Sequence, residues 1–324
     1  MAFPEKSILI VGGGIVGLCL AVAARARDFD VVLIARDAAR DTASGVAAGM
    51  VAPALEAMGD PDPEAFDRLK AAQAAWLKLM PVWPSSVQAA LRRQQAEARN
   101  QFIAADGTTS EIPGDWLLDA AATLAALEAD FVAHGGALVK GEVTHLWANG
   151  AVTSDGCERR AAHIVLAAGY AASVFADLIP GLGVLTPIKG HLFDLPGQGR
   201  PGVTRAARAY LADYGASARL GASMEPGRAD LDIDPAVVAD LKARATALFP
   251  WMSLDSATAR TGIRAGTPDG WPLIGLDSAS GVWLAVGMRR NGYVFAPFAA
   301  DVILDRLEGR ARPDADIYAP RRFS

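Results

Sequence analysis

The sequence predicts an α/β fold: a parallel, Rossmann-like domain joined to a smaller domain built on an antiparallel sheet. Three observations predict it. A glycine-rich turn, Gly12-Gly13-Gly14-Ile15-Val16-Gly17, separates a short apolar run from an Ala-rich segment near the start of the chain. Short alternating runs crowd residues 189–259, which suits an antiparallel sheet with one wet face. The chain has 324 residues, 52% hydrophobic and 21% charged, a globular composition too long for one small core.

Residues 7–11 form a continuous apolar run bounded by a turn and read as a buried strand. Residues 18–27 read as a helix, because Ala and Leu lose little freedom on becoming helical, and residues 31–34 as a second strand. Strand, turn, helix and strand make a βαβ unit. Between 63 and 80, Phe66, Leu69, Ala72, Trp76 and Met80 recur at helical spacing until Pro81 and Pro84 break the pattern. Residues 87–100 are rich in Gln and Arg, 101–104 is a strand candidate, and Gly107 turns the chain toward Ile112, a polar excursion from the core. A long Ala/Leu helix is expected at 119–134, strands with a turn at Asn149-Gly150 across 137–152, and a buried strand at 162–168 ending at Gly169. Strands at 209–212 and 218–221 and a helix at 235–248 belong to the antiparallel unit. A strand at 282–286 and a helix from about 298 to 307 return to the first. The expected division is a nucleotide-binding domain from 1–83, 114–186 and 260–324, and a second domain from 84–113 and 187–259.

Composition removes several functions. The net charge of −5 provides no positive field for nucleic acid or anionic lipid, so an acidic small molecule has to be caught locally. Cys19 and Cys157 stand alone without CxxC spacing, which fits a reducing, cytoplasmic compartment. Residues 8–24 are too short and glycine-rich for a spanning helix, and residues 1–6 carry no basic run, so neither a membrane span nor a signal peptide is expected. His134, His145, His163 and His191 are scattered without ligand spacing, so no metal site is expected.

The turn satisfies GxGxxG through Gly12, Gly14 and Gly17, with Ile15 and Val16 opening the helix. Its glycines allow a tight turn, close approach of a pyrophosphate and helix-to-strand packing. A ligand-free glycine turn lacks a reason for the strand, helix and second strand to fall at this spacing. One element is missing: Ala35 stands where Glu or Asp would take the ribose hydroxyls, a loss of ~1.5–3 kcal/mol if nothing replaces it. Asp37, or Arg36 stacked on adenine, are candidate substitutes, and both read equally as solvated turn charges.

Further motifs follow in order: Ala43-Ser44-Gly45-Val46-Ala47-Ala48-Gly49-Met50, Ile164 to Gly169, Pro187-Ile188-Lys189-Gly190, Gly221-Ala222-Ser223-Met224, Gly262-Ile263-Arg264 continuing to Gly270, and Gly287-Met288-Arg289-Arg290-Asn291-Gly292. Together they resemble the FAD-dependent amino-acid and amine oxidases of the D-amino-acid oxidase superfamily, and most of all the glycine oxidases of thiamine biosynthesis. The resemblance covers nearly the whole chain. The excursion at 84–113 is shorter than the family usually carries.

The resemblance implies noncovalent FAD, because no Cys stands in the C-terminal motif. It places Gly12, Gly14, Ile15, Val16, Gly17, Arg36, Ser44, Ala48, Gly49, Met50, Gly169, Arg264, Met288, Arg289, Arg290, Asn291, Gly292 and Tyr293 around the cofactor. It gives Arg264 the substrate carboxylate, a role for which a planar guanidinium offers two hydrogen bonds that Lys cannot match. Tyr210 corresponds to a tyrosine donating to the same carboxylate, or else to a tyrosine packed in the sheet. Arg290 lies in the loop beside the flavin ring and is expected to help bind the substrate, and Arg289 adds a second cation; both would raise the positive potential that favours an anionic substrate and anionic reduced flavin, while Arg289 also reads as a solvated loop charge. Met50 and Met224 line the pocket, or fill core gaps as Met often does. The following helix, entered near Pro297, is expected to aim its N-terminal dipole at the flavin.

The expected reaction is oxidation of glycine, or another small amino acid or amine, to an imine, with dioxygen reduced to hydrogen peroxide. In a thiamine-making cell the imine would feed thiazole assembly. Two alternatives stand beside it. One is a dehydrogenase that acts on a D-amino acid or 2-hydroxy acid and passes electrons to a quinone or carrier. The other, motivated by Ala35, is a flavin-binding subunit without turnover. A homo-oligomer is possible on any of the three.

Overall fold

The computed structural model describes residues 4–58 and 60–323. Its first sheet has six strands, in the order Leu273–Asp277, Val282–Val286, His163–Leu166, Ser7–Val11, Asp30–Ala35, Ala137–Lys140. All neighbours run parallel except the first two, which form an antiparallel pair. Ser7–Val11 is buried along its whole length, as a central parallel strand covered on both faces must be. The chain leaves it toward Asp30–Ala35 on one side and later returns on the other with His163–Leu166. The crevice at its carboxyl end is therefore a topological switch point, where open α/β sheets bind ligands.

The helix Ile15–Arg25 covers one face together with the C-terminal helix Gly292–Leu307, in one continuous apolar core. The other face buries Leu9, Val11 and Ile34 against Val143, Leu146 and Ala151 of a small three-stranded sheet. The second large sheet has eight strands. Its path runs Glu225–Pro226, Thr186–Pro196, Ser217–Gly221, Ala209–Asp213, Gly202–Ala206, Asn100–Ile103, Thr109–Glu111, and Thr258–Gly266 pairs with Thr186–Pro196 off that path. All its pairs are antiparallel except Gly202–Ala206 with Asn100–Ile103. The helix Pro235–Leu248 seats Leu241 and Ala245 on Phe193, Leu211 and Leu220 of this sheet.

Several elements differ from the sequence expectation for identifiable reasons. The first helix starts at Ile15, not 18, because Gly14 already has the extended backbone of an N-cap. The last helix starts at Gly292 and holds Pro297 inside it, whereas proline in sequence reads as a helix start. Pro297 has no N–H for the carbonyl of Tyr293 one turn back, and the Trp76 indole N–H donates to that carbonyl instead at 2.8 Å. The polar stretch after Pro84 is a helix, Ser85–Glu97, whose buried Val87 and Leu91, four apart, join the core of the first sheet. Residues 260–266, assigned in sequence to the first domain, hydrogen-bond into the second sheet. We propose the two-domain division as a description of this chain, with 260–266 and 85–97 as the segments that cross it.

Candidate active site

A cavity of about 1070 Å³ opens at the carboxyl ends of the parallel strands and reaches the second sheet. That exceeds the roughly 300–1,000 Å³ of ordinary small-molecule pockets and gives room for a dinucleotide with a substrate beside it. Among the predicted site residues, Gly17 and Asn291 do not line this cavity. Gly12, Gly14, Ile15, Val16, Arg36, Ser44, Ala48, Gly49, Met50, Gly169, Tyr210, Met224, Arg264, Met288, Arg289, Arg290, Gly292 and Tyr293 do. Gly17 lies buried in the first helix, and Asn291 is the N-cap of the last.

At the glycine turn, Gly12 has φ +122°, a backbone that favours glycine, and a Cβ there would run into the Ala167 carbonyl. Two helix N-termini meet the cavity side by side, at Ile15 and Gly292, and neither carries an acid in its first turn. Their unpaired N–H groups and dipoles favour an anion such as a pyrophosphate. The Ser44 hydroxyl already accepts from the N–H of Ile15 at 3.0 Å, which fixes the entrance to the helix. Asn291 caps the last helix from a buried position behind the cavity wall. The Tyr293 hydroxyl is spent on structure, donating to the Ser44 carbonyl at 3.0 Å, and burial pushes its pKa far up. These features fit FAD.

At the other end of the nucleotide site, Ala35 leaves only a methyl group beside Gly13. Arg36 pairs with Asp37 at 2.9 Å and with Glu142 at 3.5 Å; the hydrogen bond it donates to the Asp37 carboxylate is the main reason its pKa is raised. Glu142 lines the cavity and sequence reasoning missed it. The signal was available only through pairing: Ala137–Lys140 runs parallel beside Asp30–Ala35, so the residues just past its end meet Arg36.

At the second sheet, Arg264 stands on Thr258–Gly266 with Gly190 across the strand pair, and a Cβ on Gly190 would strike the guanidinium. Arg264 Nη1 donates to the Ser223 carbonyl at 3.3 Å and to Met224 Sδ at 3.5 Å, and among the described residues the side chain has no ion pair. Burial lowers its pKa, while Tyr210 and Glu56 act in the opposite sense. A desolvated cation without a counter-ion is costly in the empty protein, and a ligand carboxylate relieves that cost. Tyr210 faces Gly221 on the neighbouring strand, where the missing Cβ leaves room for the phenol; burial raises its pKa, opposed by Arg264.

Arg290 is placed differently from Arg264. It donates to the Glu56 backbone carbonyl at 2.6 Å, its Nε lies against the Glu56 carboxylate, and Asp60 is 3.7 Å away. Glu56, 3% exposed, also accepts from Arg205 Nη1 at 2.8 Å. Arg289 has φ +50° and lies 4.0 Å from Asp60. Glu56 and Arg205 were missed in sequence. The available signal was a single carboxylate in the apolar run of residues 51–58. Met50 is part-buried on a short strand paired with Leu117, and Met224 is partly exposed. Cys19 and Cys157 do not line the cavity, and among the described residues no metal-binding cluster and no membrane-length apolar helix is found.

The model of the family described as FAD dependent oxidoreductase (DAO) matches residues 7–82 and 62–306. A tRNA 5-methylaminomethyl-2-thiouridine biosynthesis bifunctional protein of Maricaulis maris is 28% identical over 100% of this chain and 56% of its own. D-amino acid dehydrogenase 2 of Pseudomonas aeruginosa is 30% identical over 57% of this chain and 43% of its own. Glycine oxidase of Pseudomonas putida is 32% identical over 56% and 50%. The chain thus spans about half the length of these relatives. Among solved structures, glycine oxidase from Geobacillus kaustophilus superposes with a TM-score of 0.79 at 22% identity, covering 96% of this chain and 97% of that one. With a cradle that suits the cofactor and a family match over most of its length, the chain belongs to the FAD-dependent oxidoreductase (DAO) family.

Proposed function

We propose that the protein oxidises a small α-amino carboxylate, glycine or a close relative, to the corresponding imine, with dioxygen as acceptor and hydrogen peroxide as second product. The observation that carries this reading is Arg264, a part-buried guanidinium in the cavity with no ion pair among the described residues. Bound FAD supplies a two-electron acceptor for the hydride leaving Cα. The chain's own residues do the rest. The turn at Gly12 and the two helix N-termini hold the pyrophosphate and the anionic end of the flavin. Arg264 takes the substrate carboxylate through two hydrogen bonds and so fixes where Cα lies. The Tyr210 hydroxyl donates to the same carboxylate. Met50 and Met224 bound the space beyond Cα and favour a small substituent. The Glu56 carboxylate is engaged by arginines and that of Glu225 by His191 at 2.8 Å, so the substrate amine arrives neutral without a protein base.

FAD is held noncovalently in this reading, because neither cysteine reaches the cavity. Two isolated cysteines support a cytoplasmic setting. The tRNA-modification relative raises an RNA-borne amine as a substrate, and a net charge of −5 argues for a free small molecule. A second reading has its own observation: the D-amino acid dehydrogenase relative supports a carrier or quinone in place of dioxygen.

Arg264→Lys tests the clamp. A point charge cannot reproduce the planar fork, so KM for glycine rises by about tenfold or more while flavin content stays at the wild-type level. An unchanged KM removes Arg264 from the substrate site.

A further inference from the structure

Five part-buried guanidiniums line the cavity: Arg205, Arg244, Arg264, Arg289 and Arg290. Four have a carboxylate within 4.0 Å, Arg244 through Asp240 on its own helix at 2.8 Å. Arg205 has Glu56 at 2.8 Å, Arg290 has Glu56 and Asp60, and Arg289 has Asp60. Arg264 has none among the described residues. The exposed Arg208 also lines the cavity, but water solvates it and it carries no comparable demand for an anion.

The distribution depends on Glu56. Its carboxylate bridges two arginines from opposite parts of the chain, and its own helix, Pro53–Ala57, is pinned by Asp115, which accepts from the N–H groups of Ala54 and Leu55 at 2.9 Å each. Burial pushes the Asp115 carboxyl up and these two hydrogen bonds oppose it. Glu56 is therefore a fixed internal counter-ion, occupying the positions on Arg205 and Arg290 that a ligand carboxylate would otherwise take.

We propose that Glu56 sets the substrate class: by holding Arg205 and Arg290 it confines carboxylate recognition to Arg264 and reserves the site for amino acids with a single carboxylate. The proposal rests on the reading of Arg264 as the clamp. Glu56 is a positioning residue in it, acting through the two arginines.

Acetate and malonate are redox-inert probes with one and two carboxylates, and their binding to the holoenzyme is read from the change in flavin absorbance. In the wild type, malonate binds no tighter than acetate. Glu56→Gln keeps the size and removes the charge, which frees Arg205 and Arg290 for a second carboxylate; malonate then tightens by about tenfold, and acetate changes by less than about threefold. Equal shifts for the two anions, or a wild type that already prefers malonate by about tenfold, overturn the proposal. Should Glu56→Gln not fold, Glu56→Asp decides. It keeps the charge but is too short to reach both arginines, so the malonate-to-acetate preference rises by about threefold, and an unchanged preference overturns the proposal. Failure of the clamp reading shows separately: Arg264→Ala then binds acetate as the wild type does, and the role of Glu56 falls with it.

Discussion

Gly190 gives Arg264 its place. The strand Thr186–Pro196 runs antiparallel to Thr258–Gly266, and the guanidinium lies where the Gly190 side chain would be. Gly190→Ala drives a methyl group into the far end of a flexible side chain, so the clamp moves while the sheet stays paired. KM for glycine is expected to rise by about tenfold with flavin content unchanged, as steady-state kinetics and the visible spectrum will report. At this scale the sequence was readable where a residue's role follows from its own motif. Arg264 stands in such a run, Tyr210 was matched only through the family resemblance, and both reach the cavity. Glu56 and Glu142 were not readable, because each takes its meaning from a distant partner. Glu56 meets Arg205 across 149 positions and the Arg290 segment across 234, separations at which no local pattern connects them.

Among the elements, the C-terminal helix shows how one side chain completes another segment's backbone. Pro297 leaves the Tyr293 carbonyl without its helical donor, and the Trp76 indole supplies one from the helix Ala65–Lys78. Trp76→Phe leaves that carbonyl buried and unpaired and costs about 1–3 kcal/mol, measurable by denaturant unfolding. In a Pro297→Ala background the backbone N–H returns, so the same substitution costs less; an equal cost in both backgrounds excludes this coupling. The interior of the helix was legible from its apolar run, and its start was not. Proline is common in the first turn of helices, so Pro297 marks a start when only local rules are available, and the tertiary donor that tolerates it further in comes from another helix.

Across the whole molecule, the first and last helices bring their N-termini to the cavity and bind their far ends through a charge cluster. Arg27 bonds Asp301 and Asp305, and Arg312 reaches the same two acids. Burial pushes the Asp305 carboxyl up, yet hydrogen bonds from Arg27, Arg310 and Arg312 outweigh it and lower the pKa from 3.8 to about 2. The contribution of this group is fully present above the unfolded value of 3.8 and is lost as pH falls toward about 2. Asp305→Asn is expected to cost on the order of 2 kcal/mol at neutral pH, and its stability should vary less than the wild type's across that acid window. Equal acid profiles for the two proteins count against the assignment. The parallel pairing of Ser7–Val11 with Asp30–Ala35 was legible, since one glycine turn between strand and helix implies a βαβ unit. The path of the eight-stranded sheet was not, because Asn100–Ile103 joins Gly202–Ala206 across a hundred residues and only pairing in space reveals it.

Delivery of a small amino carboxylate to a bound flavin by this scaffold is read from an anaerobic spectrum. The purified yellow protein is mixed with glycine in the absence of oxygen, and air is then admitted. The visible flavin absorbance is expected to be lost and to return in air; return only on adding a quinone keeps the amine and changes the acceptor. A yellow protein that glycine, sarcosine and D-amino acids all fail to bleach contradicts that delivery.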